Sequence, residues 1–235
     1  MITFIVPARG GSQRLPNKNI KLLNGKPLFF HTIDALIGHE LIDRVVFTSD
    51  SKEYCELAEK QYEDNITILN RPKETATNKT KVVEELKRIF DIHPELFSTE
   101  WFGLALPTAP LRSHDTVSNA LTFFEGTNYP LFSCNVYDFP TQFAFRLDIE
   151  NKTHQNWKAI SEESPMITGN TRSQDIEKLY RPNGAIYINT IANFSESKTL
   201  YKNANGFEIS SIEAMDIDTA LDFKMVEHIL NSKNS

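Results

Sequence analysis

The residue types most suited to chemistry crowd together near the amino terminus. Directly after a short apolar run the chain reads Pro7-Ala8-Arg9-Gly10-Gly11-Ser12-Gln13-Arg14-Leu15-Pro16-Asn17-Lys18-Asn19. Adjacent glycines let backbone amides approach a ligand closely, and amides flanked by cations can hold phosphate oxygens. Arg9 and Arg14 supply directional forks, whereas Lys18 supplies a compact charge. No acidic residue interrupts the stretch from Arg9 to Lys26, although the whole chain has a net charge of -6. The spacing matches neither the P-loop nor the dinucleotide fingerprint. By itself it leaves two readings open, a phosphate cradle or a glycine turn on a basic surface.

Asp216-Ile217-Asp218 is the second candidate. If this segment is extended, alternation places both carboxylates on one face. Such a pair of hard oxygen donors suits magnesium that is also held by nucleotide phosphates. A solvated acidic edge, or a cap for a helix opening near Thr219, explains the same residues. Asp222 is spaced into that helix and reads as structural. The histidines lack zinc-protease spacing, His31 reads as structural, and no serine occupies a nucleophile elbow. Cys55 and Cys134 stand far apart without metal or redox spacing, which predicts reduced thiols.

To position these groups, the sequence offers alternating strands and helices. Residues 2–6 form an apolar, β-branched run stopped by Pro7, and 43–48, 65–69, 101–106, 131–135 and 185–189 also read as strands. Helical spacing covers 28–37, 51–62 with Ser51 as a cap, 80–90 and 113–124, with a closing helix over 219–230. A further strand is expected over 208–212. This rhythm predicts an α/β fold with a mostly parallel sheet covered by helices on both faces. Ligands on such sheets gather at the carboxyl ends of the strands. Between about residues 136 and 178 the rhythm breaks into a polar, aromatic segment, here expected to be an insert within a single 1–235 domain. The acidic balance argues against a nucleic-acid face, and the absence of a signal peptide or a long apolar run predicts a soluble, cytoplasmic protein without a membrane partner.

The stretch IVPARGGSQRLPNKNIKLLNGKPL resembles the opening of the acylneuraminate cytidylyltransferases, or CMP-sialic acid synthetases. RPKETATNKT, PTAPLR, TRSQD, YRPNGAIYI and DIDTALD resemble further segments of that family in the same order. The resemblance implies a Rossmann-like nucleotide-diphospho-sugar transferase fold that uses CTP, Mg2+ and an acidic nonulosonic sugar such as sialic or legionaminic acid. It also implies a homodimer in which the insert packs against the second subunit. CMP-Kdo synthetase, another sugar nucleotidyltransferase and a nonenzymatic nucleotide sensor are the alternatives.

Carried over by position, the resemblance gives Ala8, Arg9, Gly10, Gly11, Ser12, Gln13, Asn19 and Arg71 to the nucleotide. Gln13 stands where relatives often have lysine. Arg14 and Lys18 fall beside the phosphates, and Asp216 and Asp218 match the metal pair. Thr108, Arg112, Arg172, Gln174 and Arg181 fall on the sugar side. Leu106 occupies a position where relatives commonly carry glutamine, and together with Phe139-Pro140-Thr141-Gln142 it makes a noncanonical nonulosonic acid the expected acceptor; Asn78 stands where aspartate is usual, preserving size while removing charge.

Overall fold

A computed structural model describes residues 1–77, 79–150, 156–170 and 172–233. Asn78 and Thr171 lie outside the described residues. The elements run β1 (Ile2–Pro7), β2 (Leu22–Leu23), β3 (Lys26–Pro27), α1 (Leu28–Leu36), β4 (Ile42–Ser49), α2 (Lys52–Tyr62), β5 (Thr67–Asn70), α3 (Val82–Ile92) and β6 (Trp101–Leu104). They continue as α4 (His114–Thr127), β7 (Leu131–Val136), β8 (Phe145–Leu147), β9 (Trp157–Ala159), α5 (Pro165–Thr168), β10 (Tyr180–Thr190), α6 (Ile191–Ser197), β11 (Asn205–Glu208) and α7 (Ala220–Lys233). Two compact units emerge: Met1–Cys134 with Pro182–Ser235, and Asn135–Arg181.

The central sheet has seven strands in the order β11-β7-β10-β6-β1-β4-β5. β1 pairs in parallel with β4 on one side and β6 on the other. Its residues Ile2, Phe4, Ile5 and Val6 are fully buried, as expected for a central strand covered on both faces. From β1 the chain moves outward through β4 and β5, then returns to place β6 on β1's opposite edge. The order therefore reverses between β1 and β6, and such a reversal opens a crevice at the carboxyl ends of the two strands. β10 runs antiparallel to β6. Gly103 in β6 permits close packing here, because a Cβ would stand 2.5 Å from the Phe4 ring.

Helix boundaries follow local chemistry. Ser51 accepts a hydrogen bond from the Tyr54 amide and opens α2 as anticipated, and Ser113 likewise caps α4 through the Thr116 amide. The strand expected over 208–212 is displaced: β11 ends at Glu208. Ser210 Oγ accepts from the Glu213 amide and donates to its carboxylate, turning the chain before the apolar residues can extend the ladder. α6, where no helix was expected, opens with Thr190 Oγ1 accepting from the Asn193 amide.

Within the second unit, β8 and β9 form an antiparallel ladder, and the Tyr137 amide donates to the Leu179 carbonyl. Phe139, Ile149 and Ile160 are more than half exposed, and Phe145 and Trp157 are exposed as well.

Two histidines make the fold sensitive to acid. His39 stacks on His114 with ring centroids 3.8 Å apart and contacts the Ala35 carbonyl, while half-buried His31 contacts the Leu23 carbonyl. Burial is the main cause that lowers both the His39 and His31 pKa values below 6.5, and the neighbouring His114 lowers His39 further. The folded state thus resists protons that the unfolded chain accepts. Their contribution to stability should be complete above pH 6.5 and fall away as pH drops through the lower folded-state values. Denaturant titrations between about pH 7.5 and about pH 5 should show this loss, with a shallower dependence in His39→Asn.

Candidate active site

A cleft of about 230 Å³ opens at the β1/β6 reversal. Its floor and one wall come from Pro7, Arg9, Ser12, Lys18 and Asn19, the segment following β1. Arg71 beyond β5, together with Thr80 and Val82 at the start of α3, forms another wall. Leu106, Pro107 and Thr108, following β6, complete it. The placement follows from topology, because these lining segments begin where parallel strands end.

The glycine loop is held from below. Ala8 donates its amide to the Thr48 carbonyl at 2.9 Å and accepts from Ser49 Oγ at 2.6 Å. The Gly10 amide donates to Asp50 Oδ1 at 2.9 Å, so Asp50 anchors the turn. Asn19 donates to the Arg9 carbonyl at 3.0 Å, fastening the far end of the loop to its start. Arg9 reaches across to the Thr77 carbonyl at 3.0 Å. Around Gly11 a Cβ would find open space, while Gln13 lies exposed. Of the residues assigned to the nucleotide, Arg9, Ser12, Asn19 and Arg71 line the cleft; Ala8 and Gly10 shape the loop through their backbone bonds.

Lys18 and Arg14 converge on the other end of the chain. Buried Lys18 donates to the Ile217 carbonyl and lies 3.3 Å from Asp218 Oδ1. Arg14 lies 2.9 Å from Asp218 Oδ2 from a more exposed position. The Ile217 side chain is fully buried, and its amide donates to the Thr108 carbonyl at 2.8 Å. Asp216 and Asp218 therefore flank an inward-pointing residue. Burial pushes the Asp216 carboxyl above its usual range, opposed by a hydrogen bond from Thr108, while the Asp218 charge pushes in the same upward direction. One side of Asp216 still opens to solvent.

Among the described residues no three His, Cys, Asp or Glu side chains gather as a protein-only metal cage. Asp216 and Asp218 lie beside the cleft-lining residues Thr108 and Lys18, and two such carboxylates form an incomplete hard-oxygen donor set. That pattern fits magnesium, which keeps water and substrate phosphate among its ligands.

Several positions differ from expectation or were not anticipated. Arg112 does not present its guanidinium to the cleft: it is 2% exposed and donates to the Ala185 carbonyl, and burial lowers its pKa to about 9. The prolines shape residues 107–110, but the following Leu111 and Arg112 turn inward. Arg172, Gln174 and Arg181 lie in the second unit, where Arg172 pairs with Asp175 at 3.4 Å. Asp50, Thr80, Val82 and Tyr187 were not singled out by motif. Asp50 and Thr80 could have been flagged by following each strand past its carboxyl end, whereas Tyr187 sits inside a strand and acquires its electrostatic neighbour Asp216 only through folding.

A family model described as Cytidylyltransferase matches residues 3–97. The chain is 29% identical over 238 residues to an N-acylneuraminate cytidylyltransferase of Escherichia coli, covering 99% of this chain and 53% of that protein. By sequence, the chain is similar to acylneuraminate-type cytidylyltransferases along nearly its whole length. It is 28% identical to the CMP-N,N'-diacetyllegionaminic acid synthase of Legionella pneumophila over 97% of this chain and 96% of that protein. A pseudaminic acid cytidylyltransferase of Campylobacter jejuni is 28% identical over 95% of this chain and 93% of its own length. The chain thus spans about half the E. coli relative (53%) and nearly all of the Legionella one (96%). In fold it is similar to a CMP:2-keto-3-deoxy-manno-octonic acid synthetase complexed with CTP, with a TM-score of 0.70 at 14% identity, covering 99% of this chain and 100% of that one.

Asp222 supports the acidic segment without belonging to the cleft lining. Its Oδ2 accepts from the Asp218 amide at 3.0 Å and the Thr219 amide at 2.7 Å, while Thr219 Oγ1 accepts from the Asp222 amide. This reciprocal arrangement is a capping box. Asp222→Ala should destabilise the protein by about 1 kcal/mol, measured by denaturant unfolding.

Proposed function

We propose that this chain transfers CMP from CTP to the anomeric C2 hydroxyl of a nonulosonic acid, releasing pyrophosphate. The observation that carries the reading is the meeting of Lys18 and Arg14 with Asp218 beside Asp216 and Thr108, at the edge of a cleft whose loop is built for phosphate. In the reaction, the acceptor hydroxyl oxygen forms a bond to the α-phosphorus of CTP. The bond from that phosphorus to the β-phosphate bridge breaks, and pyrophosphate carries away the electron pair.

The pairing of Lys18 and Arg14 with Asp218 gathers two cations beside the cleft, which supports their use in neutralising a triphosphate. Lys18 is anchored by Ile217, so its ammonium is oriented before substrate arrives. Thr108 favours the charged form of the neighbouring Asp216 carboxylate. Asp218 either shares a magnesium ion with Asp216 or assists deprotonation of the acceptor through water. Magnesium held by Asp216 and Asp218 would neutralise charge on the nucleotide phosphates. Leu106 gives the acceptor side an apolar wall, which supports legionaminic, pseudaminic or a related acid over N-acetylneuraminate.

The test is magnesium-dependent pyrophosphate release from CTP across a panel of nonulosonic acids and Kdo, with product masses recorded. A CMP-nonulosonate is expected, and Asp216→Asn should lower kcat by at least about 100-fold. Folded protein that binds CTP yet turns over no acceptor would overturn the reading.

The apolar surface of the second unit supports a homodimer, since Phe139, Ile149 and Ile160 leave large side chains in solvent. Sedimentation should give a dimer. Phe139→Glu combined with Ile160→Glu should shift it toward monomer without unfolding the first unit; a monomeric unsubstituted protein would refute the assignment.

A further inference from the structure

Behind the cleft lies a carboxylate that the phosphate and metal chemistry does not use. Glu85 sits in the first turn of α3, and its side chain is completely buried. Each oxygen has two partners. Oε1 accepts from Thr48 Oγ1 at 3.0 Å and from Arg88 Nη2 at 2.8 Å. Oε2 accepts from Arg88 Nε at 2.9 Å and lies 3.0 Å from Arg71 Nε.

Arg88 grips Glu85 with both prongs of its guanidinium, and one such fork already balances one carboxylate. Arg71 then adds a second positive charge to that carboxylate in a nearly dry environment, with Asp50 as a further acidic neighbour, and it is the one of the two arginines that lines the cleft. Its other contacts come from behind: the Thr75 carbonyl and hydroxyl both accept from the guanidinium. Its own amide is tied to the Ser49 carbonyl at 2.8 Å. Thr80 and Val82 line the same wall, so the ion pair joins the end of β5 to the opening turn of α3 where both meet the cleft. Burying three charges for stability alone is a poor arrangement, because desolvation offsets much of the attraction. The arrangement does achieve fixed placement of one cation at the cleft.

We propose that Glu85 is a positioning residue for nucleotide binding, holding Arg71 so that its charge is fixed at the wall of the cleft. This rests on the reading of the cleft as a CTP site. Arg88 acts differently, balancing the buried carboxylate without reaching the substrate.

Glu85→Gln, Glu85→Asp and Arg88→Met separate these roles. Glu85→Gln should raise KM for CTP at least about tenfold while kcat and the acceptor KM change by less than about threefold, and Glu85→Asp should recover part of the loss. Arg88→Met should lower Tm yet leave KM for CTP within about threefold of the unsubstituted protein. A Glu85→Gln protein with reduced Tm and unchanged KM for CTP overturns the proposal. Because loss of all turnover would speak to the reaction instead, the nitrogen-15 resonance of Arg71 Nε in ligand-free protein supplies an independent readout. It should be dispersed in the unsubstituted protein and merge with the solvent-exposed arginines in Glu85→Gln, or shift partway in Glu85→Asp should the glutamine variant not fold. An Arg71 resonance indifferent to substitution at Glu85 overturns the proposal, whatever the substrate.

Discussion

The contact between the Lys18 ammonium and the Ile217 carbonyl ties the two ends of the chain into one site. A buried ammonium is tolerable only when its protons are met, and Ile217 and Asp218 meet them from a segment about 200 residues downstream. The same segment is fastened from its other side, where the Ile217 amide reaches the Thr108 carbonyl. Loop, acidic segment and the turn after β6 are thereby held in register with one another. Arg14 adds little to this holding, because its ion pair with Asp218 is largely exposed and screened.

Local sequence carries much of the architecture but not the meeting of its parts. The parallel strands announce themselves because both faces are buried and their residues run almost continuously apolar, as in Ile2, Phe4, Ile5 and Val6. Pro7 and the paired glycines likewise mark the loop without help from tertiary structure. The reversal between β1 and β6 has no local signature, since it depends on which edge of β1 a later strand chooses. Ser210 shows the opposite limitation: its side chain outcompetes the ladder for backbone partners, so an apolar run turns where its composition suggests extension.

Burial separates the arginines in a way their motifs cannot. Arg71 and Arg112 both occupy recognisable stretches and both are almost fully enclosed, yet only Arg71 has acidic and carbonyl partners and also lines the cleft. Arg112 spends one nitrogen on the Ala185 carbonyl, with Nε and Nη2 lacking hydrogen-bond partners. Its single bond links the turn after β6 to β10, the same junction at which the Leu106 amide meets the Gly184 carbonyl at 3.3 Å. Sequence identifies the turn; only packing shows that its arginine braces the turn from inside.

That junction also restricts what the cleft can accept. Gly184 has φ of 77°, and a Cβ there would stand 2.9 Å from Leu106 Cδ1. The glycine is thus required twice, for its backbone conformation and for the space the leucine fills. An amide side chain in place of Leu106 would bring donors and acceptors to the wall, and a ligand hydroxyl would meet them. Leucine brings none, so any ligand hydroxyl turned toward it must give up water without a replacement bond. The wall consequently favours a ligand whose facing surface is apolar, while Arg9, Lys18 and Asn19 bring polar groups to the same cleft. The cleft therefore joins a polar, cationic side at Arg9, Lys18 and Asn19 to an apolar side at Leu106, and the apolar side penalises unpaired hydroxyls.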